Sequence, residues 1–288
     1  MVRKLEDAMA KLRPLHKKLG KPKPGDWLYH HREPGQTFQE YLRCSPVVPD
    51  EKRSVIYIQP LGEFTATQSR IVTLTADFLG RYFDMPVKQL KVLPLSVIPP
   101  EAHRTHPTWG DKQILTGYVL EKVLKPALPK DAFACIALTG SDLWPGAGWN
   151  FVFGQASLTE RVGVWSMYRN GDPDADEQAF GLCLLRTLKT ASHELGHMCS
   201  MLHCTRYECN MCGSNHREES DRRPLALCPE CMAKVCWATK ADSIERYGKL
   251  LEFCRTNKLK GEAEFCENAI RALGGEVPTS RPTTRPAP

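Results

Sequence analysis

The chain has 288 residues, 42% hydrophobic and 25% charged, a composition that excludes a peptide-sized scaffold, wholesale disorder and a fibrous repeat. Lys and Arg outnumber Asp and Glu by 39 − 33, and this +6 is spread along the chain, with no basic block that argues for nucleic acid. The outlying number is twelve cysteines: six disulfides in a small secreted protein, metal ligands and buried thiols inside a cell.

Residues 1–52 read as a peripheral N-terminal segment. It opens with a short basic helix that no apolar stretch follows, so it is not a secretory signal, and Glu6 and Asp7 argue against a transit peptide. A solvated helix on an intracellular protein, cytoplasmic or nuclear, is expected. KPKPGDW and HREPGQ follow as loops broken by Pro and Gly. From Arg53, RSVIYIQPLG reads as a buried strand, and Ala66 to Phe83 places Ile71, Leu74, Phe78, Leu79 and Tyr82 at helical spacing. Val87 to Ile98 alternates like a strand, Asp111 to Leu128 has helical spacing and stops at Pro126, and Ala132 to Gly140 is the continuous apolar run of a buried strand. Beyond the Trp/Pro/Gly loop SDLWPGAGW, WNFVFGQASL from Trp149 and VGVWSMYRN from Val162 read as consecutive strands. An acidic loop then leads into a core helix running to about Cys199, apolar at Phe180, Leu184, Leu185 and Leu188.

This order, βαβαβββ and then a long helix, predicts an α+β (mixed α/β) fold with helices packed on a mixed sheet over residues 53–203. Residues 204–274 form a smaller subdomain, Cys-rich up to Cys236 and closed by a helical pair, and 275–288 are a disordered tail. No window approaches eighteen apolar residues, so no membrane span is expected.

The long helix ends in His193-Glu194-Leu195-Gly196-His197. Two imidazoles four residues apart share a helical face about 6 Å apart along the axis, so both can reach one zinc ion, with a carboxylate beside them to take a proton. The same five letters also recur by chance around hydrogen-bonded buried histidines. His203 extends the motif to HELGHMCSMLH, which fits HExxHxxGxxH at every position but one. Three His ligands leave a fourth zinc position open, as a catalytic site requires. Ser200 stands where the turn favours glycine, at a cost on the order of 1–2 kcal/mol if its φ is positive.

The following stretch supplies Cys204, Cys209, Cys212, Cys228 and Cys231. Spacing alone pairs Cys209-x2-Cys212 with Cys228-x2-Cys231 as a zinc site of four cysteines, and a competing set replaces Cys212 with Cys204. Cys44, Cys135, Cys183, Cys199, Cys254 and Cys266 read as inert buried thiols. A nucleic-acid-binding ribbon is poorly supported, because HREESDRRP mixes signs without interleaved aromatics.

HELGHMCSMLHC, C-N-M at Cys209 to Met211, GSNH at Gly213 to His216, DRRP at Asp221 to Pro224 and LCPEC at Leu227 to Cys231 together resemble the archaemetzincins, metzincin-clan zinc metallopeptidases. WNFVFGQASL is similar to their eukaryotic branch, and the resemblance runs from about Trp27 to Tyr247. It implies a metzincin-like fold, a twisted mixed sheet over an active-site helix with a smaller C-terminal subdomain. It also implies two Zn²⁺ per chain, a catalytic ion on His193, His197 and His203 with Glu194 as general base toward a zinc-activated water, and a structural ion on Cys204, Cys209, Cys228 and Cys231. Met211 matches the methionine of the family's Met-turn, an ordinary core methionine being the competing reading. The resemblance suggests aminopeptidase-like action on short peptides, without membrane or nucleic-acid partners, by a monomer. A metal-binding scaffold with little turnover is the alternative. WNFVFGQASL is the candidate substrate-aligning edge strand, with Phe151, Phe153, Gly154 and Gln155 the residues to watch; the two phenylalanines belonging to the core is the competing expectation.

Overall fold

The computed structural model describes residues 1–157 and 159–279. The chain begins with helix α1 (Val2–Leu12) and the short helices α2 (Trp27–His30) and α3 (Phe38–Arg43). Strand β1 (Val55–Leu61), helix α4 (Ala66–Phe83) and strand β2 (Val87–Gln89) form a parallel crossover. Next come β3 (His103–Thr105), β4 (Lys112–Leu115) and a helix that opens as α5 (Thr116–Tyr118) and continues with π winding over Val119–Leu124. Then follow β5 (Ala132–Thr139), β6 (Asp142–Trp144), β7 (Gly154–Ala156), β8 (Val162–Ser166) and the long α6 (Glu177–Met198). The C-terminal part holds α7 (Arg217–Asp221), α8 (Pro229–Thr239), α9 (Ser243–Thr256) and α10 (Lys260–Leu273).

The main sheet has the order β2-β1-β5-β8-β7, parallel except for the antiparallel edge strand β7. β1 and β5 lie inside it and are buried along their whole length, which is why VIYIQPL and AFACIALT are apolar without alternation. A second, three-stranded sheet has the order β3-β4-β6. Helix α4 starts on a Thr65/Gln68 capping box and α6 on Asp176, whose carboxylate accepts from the Ala179 N–H. α6 lies against α4, β7 and β8 and buries Leu184, Leu188, Ala191 and Leu195. No helix is long and apolar enough to cross a membrane among the described residues.

The expected mixed fold is present, and several expected elements differ in detail. Only the first three residues of Val87 to Ile98 are strand; pairing with β1 returns as a single bridge at Leu93, after which Pro94 leads into a 3-10 turn over Leu95–Val97. Asp111 to Leu128 opens as strand β4 and turns helical only at Thr116; its apolar residues serve two elements in succession. Of Trp149 to Leu158, only Gly154–Ala156 is strand, and Leu158 lies outside the described residues. Cys44 is exposed rather than buried, since it follows α3 at the surface. The disorder expected of 275–288 falls largely on 280–288, outside the described residues.

The largest correction concerns residues 1–52, expected to be peripheral. α1 buries Leu5, Ala8, Met9 and Leu12 against α8 and α10, and α3 buries Phe38 and Tyr41. The opening helix is therefore amphipathic and docked, with only its charged face solvated. The segment between α2 and α3 runs to the end of α6, where it meets the histidines.

Candidate metal centres and cleft

His193, Glu194 and His197 stand on one face of α6, and their rings and carboxylate reach a cleft of ≈460 Å³ beneath β7. α6 ends in a Schellman motif: the Met201 N–H donates to Gly196 O at 3.1 Å and the Ser200 N–H to His197 O at 2.8 Å. Ser200 has φ +61°, the left-handed conformation that the missing glycine would favour. Its hydroxyl accepts from the Val47 N–H at 2.9 Å, while Gln36 clamps the turn by donating to Ser200 O and accepting from the Leu202 N–H. Backbone strain on the order of 1–2 kcal/mol is thus set against a hydrogen bond of about 1 kcal/mol that glycine could not make. Ser200→Gly is expected to leave metal affinity within about threefold of the unsubstituted chain, as competition with a chromogenic chelator would measure. A loss of tenfold or more would show that the Val47 contact, not the turn conformation, holds the loop.

The turn returns His203 to the other two imidazoles. The three rings each offer a nitrogen within 4.8 Å of the others, with His193 Nε2 and His197 Nε2 3.0 Å apart. Each Nδ1 is held by an oxygen: His193 by Asn210 O at 2.8 Å, His197 by Met201 O at 2.7 Å, and His203 by both Glu33 carboxylate oxygens at 3.0 Å. An acceptor on Nδ1 fixes the tautomer that leaves Nε2 a lone pair for a metal. Burial, then the neighbouring His197 and His203, holds His193 well below its usual 6.5; burial, then His203, brings His197 down to about 4. Those two rings are neutral near pH 7, as ligation requires. Burial alone raises Glu194 to about 7.

Two glycines allow close approaches here. A Cβ on Gly154 would stand 3.0 Å from Trp165 Cβ and 3.2 Å from Glu194 Cγ, so the missing side chain lets β7 lie close against α6 at Glu194. A Cβ on Gly196 would lie 2.6 Å from Met211 Sδ, so Met211, fully buried, packs directly on the helix turn between the two ligand histidines. Phe151 and Phe153 line the cleft instead of joining the core; the Arg169 and Arg217 guanidiniums lie 4.0 and 3.9 Å over their rings. Gln155 also lines the cleft, its Oε1 accepting from the Thr116 hydroxyl.

Cys204, Cys209, Cys228 and Cys231 converge with sulfur atoms within 4.8 Å of one another, and Cys204 Sγ to Cys228 Sγ is 3.7 Å. Four sulfurs at about 2.3 Å from a tetrahedral zinc stand about 3.8 Å apart, so the set fits the ion. Cys228 is the N-cap of α8 and Cys231 lies in its first turn, where the helix dipole favours thiolates. Cys209 Sγ accepts from the Met211 and Cys228 N–H groups at 3.4 and 3.2 Å. Hydrogen bonds, first from Cys209, pull the Cys204 thiol well below its usual range. Cys212, which spacing alone preferred, lies outside this group and donates to Tyr207 O at 3.2 Å.

A third convergence, Asp26 with His216 and Glu219, is already saturated. Asp26 accepts from the Lys23 N–H and Arg222, and Glu219 from the Trp27 and Asn215 N–H groups, so the cluster ties the N-terminal loop to α7. Sequence reasoning missed Glu33, Gln36 and Trp27, whose ring packs edge-on to His203 at 5.4 Å. Glu33 and Gln36 sat in a Pro/Gly turn with no periodicity to single them out.

Comparison with known proteins matches residues 111–236 to peptidase family M54. Archaemetzincin-2 from Homo sapiens is 35% identical over 262 residues, covering 80% of this chain and 72% of its own. The crystal structure of archaemetzincin from Methanopyrus kandleri is 27% identical with a TM-score of 0.51, covering 67% of this chain and 99% of that one. That from Archaeoglobus fulgidus, complexed with malonate, is 28% identical with a TM-score of 0.50, covering 62% and 99%.

Proposed function

Since this chain belongs to the archaemetzincins, zinc metallopeptidases that hydrolyse peptide bonds, we propose that His193, His197 and His203 hold its catalytic zinc, with Glu194 as general base and short peptides cleaved from the amino end. A second, structural zinc is assigned to Cys204, Cys209, Cys228 and Cys231. The observation that carries this reading is the set of three imidazoles with outward nitrogens converging and inward nitrogens fixed by Asn210, Met201 and Glu33, beside the half-buried Glu194 carboxylate that lines the same cleft. None of the twelve cysteines is joined in a disulfide, which supports the intracellular setting.

Zinc, when bound, supplies polarisation of a carbonyl and acidification of water. The chain's own residues do the rest. Glu194, poised near 7, accepts the proton of the attacking water and delivers it to the departing amine. Among the described residues β7 pairs with β8 on one side only, so the main chain of Gly154–Ala156 can align an extended peptide across the cleft. Met211 supports the helix turn from beneath, and the four-cysteine site anchors the loop through the adjacent residues His203 and Cys204.

A library of short peptides incubated with the zinc-loaded protein, with products read by mass spectrometry, tests the reading. Cleavage that disappears on chelation and returns with zinc is expected, and no cleavage of any peptide would refute it. Gly154→Ala is expected to displace Glu194 and lower kcat about 10²-fold with zinc content unchanged. Full activity in that variant would show that β7 and Glu194 are not in functional contact.

A further inference from the structure

The two ends of the cleft carry opposite charge. Beside His203, a space of ≈430 Å³ is walled by Glu33, Pro34, Gly35, Ala156 and Leu202, with Glu33 its one carboxylate. The Glu33 side chain is 26% exposed, and the single Nδ1 proton of His203 leaves its oxygens further acceptor capacity. Beyond His193, the other half of the cleft carries Lys189 and Arg223. Lys189 is buried to 6% exposure and donates to Ser220 O at 2.5 Å. Arg223 lies 3.5 Å from Glu219, a carboxylate already engaged by two backbone N–H groups, and its Nε has no partner among the described residues. Between the two ends, the Trp27 Nε1–H, on the ring that packs edge-on to His203, is also unpartnered among the described residues. β7 joins the two halves, with Gly154 against Glu194 and Ala156 on the Glu33 side. A charge held in such a cleft attracts its opposite more strongly than on an open surface.

We propose that this polarised cleft selects short peptides by their own charges: Glu33 receives the free α-ammonium, and Lys189 with Arg223 receives a carboxylate, C-terminal or of an acidic side chain. The assignment rests on the peptidase reading for the orientation of the peptide between the two ends. Lys189 and His197 are eight residues apart on α6, about 12 Å along its axis, which an extended peptide spans with about four residues. Residues 33–35 thereby close the cleft at the end where the amino terminus sits.

Equilibrium binding to the full-length, zinc-loaded Glu194→Gln protein tests this with four tetrapeptides: free at both ends, N-acetylated, C-amidated, and C-amidated with a terminal Glu residue. Acetylation and amidation are each expected to weaken binding about tenfold or more. Recovery by the Glu-terminated amide assigns the cationic wall to side-chain carboxylates; no recovery assigns it to the C-terminus. On the same background, adding Glu33→Gln should remove only the acetylation penalty and Arg223→Met only the amidation penalty, while Glu33→Asp should retain the former. Equal binding of free and blocked peptides, or uniform weakening of all four by Glu33→Gln as a purely His203-positioning role would give, overturns the proposal. Peptides bound with this charge selectivity but never cleaved by the unsubstituted protein would refute the peptidase reading alone, whereas zinc-dependent cleavage indifferent to blocking would refute this proposal, and with it the amino-end preference, while leaving the peptidase reading standing.

Discussion

Glu194→Gln is expected to lower kcat for peptide cleavage by about 10²–10⁴-fold while zinc content and melting temperature stay unchanged. Glutamine keeps the volume that Gly154 accommodates and removes only the ability to accept a proton. Because burial raises the Glu194 pKa to about 7, its basic form is lost as pH falls through that value, so the cleavage rate of the parent should fall on the acid side of neutrality. The residual activity of Glu194→Gln should lack that acid limb. Unchanged turnover in Glu194→Gln would remove the carboxylate from the mechanism and favour water activation by the metal alone.

Cys204→Ala and Cys212→Ala are expected to part sharply, although both remove a buried thiol within the same loop. Cys204 is one of four converging sulfurs, and structural zinc sites contribute about 10–16 kcal/mol of apparent binding energy to folding. That is as large as the whole stability of an ordinary domain, so Cys204→Ala should lose one zinc and melt more than about 10 °C lower, or fail to accumulate as soluble protein. His203 precedes Cys204, so the catalytic site should weaken with it. Cys212→Ala loses one hydrogen bond to Tyr207, about 1 kcal/mol, and should keep both ions. Zinc per chain and thermal melts followed by circular dichroism read both outcomes. Zinc loss in Cys212→Ala with retention in Cys204→Ala would restore the CxxC pairing that spacing alone suggested.

What the sequence made legible follows from where its signals are local. The α6 ligands are set by helical periodicity over five residues, and the third histidine by a turn six residues on. The central strands β1 and β5 show as unbroken apolar runs because parallel strands are covered on both faces. The four-cysteine set was ambiguous by spacing, since a loop can bring either Cys204 or Cys212 to the same ion; only the family resemblance chose between them. The conformation at Ser200 followed from chain reversal, but its compensating bond to Val47 did not, because that contact joins residues 153 positions apart. Glu33 and Gln36 were illegible for the same reason: a polar residue in a turn carries no periodicity, and its partner lies more than 160 residues away. The docked face of α1 could have been read from Leu5, Ala8, Met9 and Leu12 at i, i+3, i+4 and i+7, a stripe that the charge of the segment obscured.

Zinc content combined with X-ray absorption at the zinc edge, on the full chain before and after chelation, tests the two-centre account most directly. Two ions per chain are predicted, with a mixed shell of nitrogen at about 2.0–2.1 Å and sulfur at about 2.3 Å, and chelation should remove one ion and leave a sulfur-only shell. A single ion per chain, or a sulfur-only shell before chelation, would contradict it.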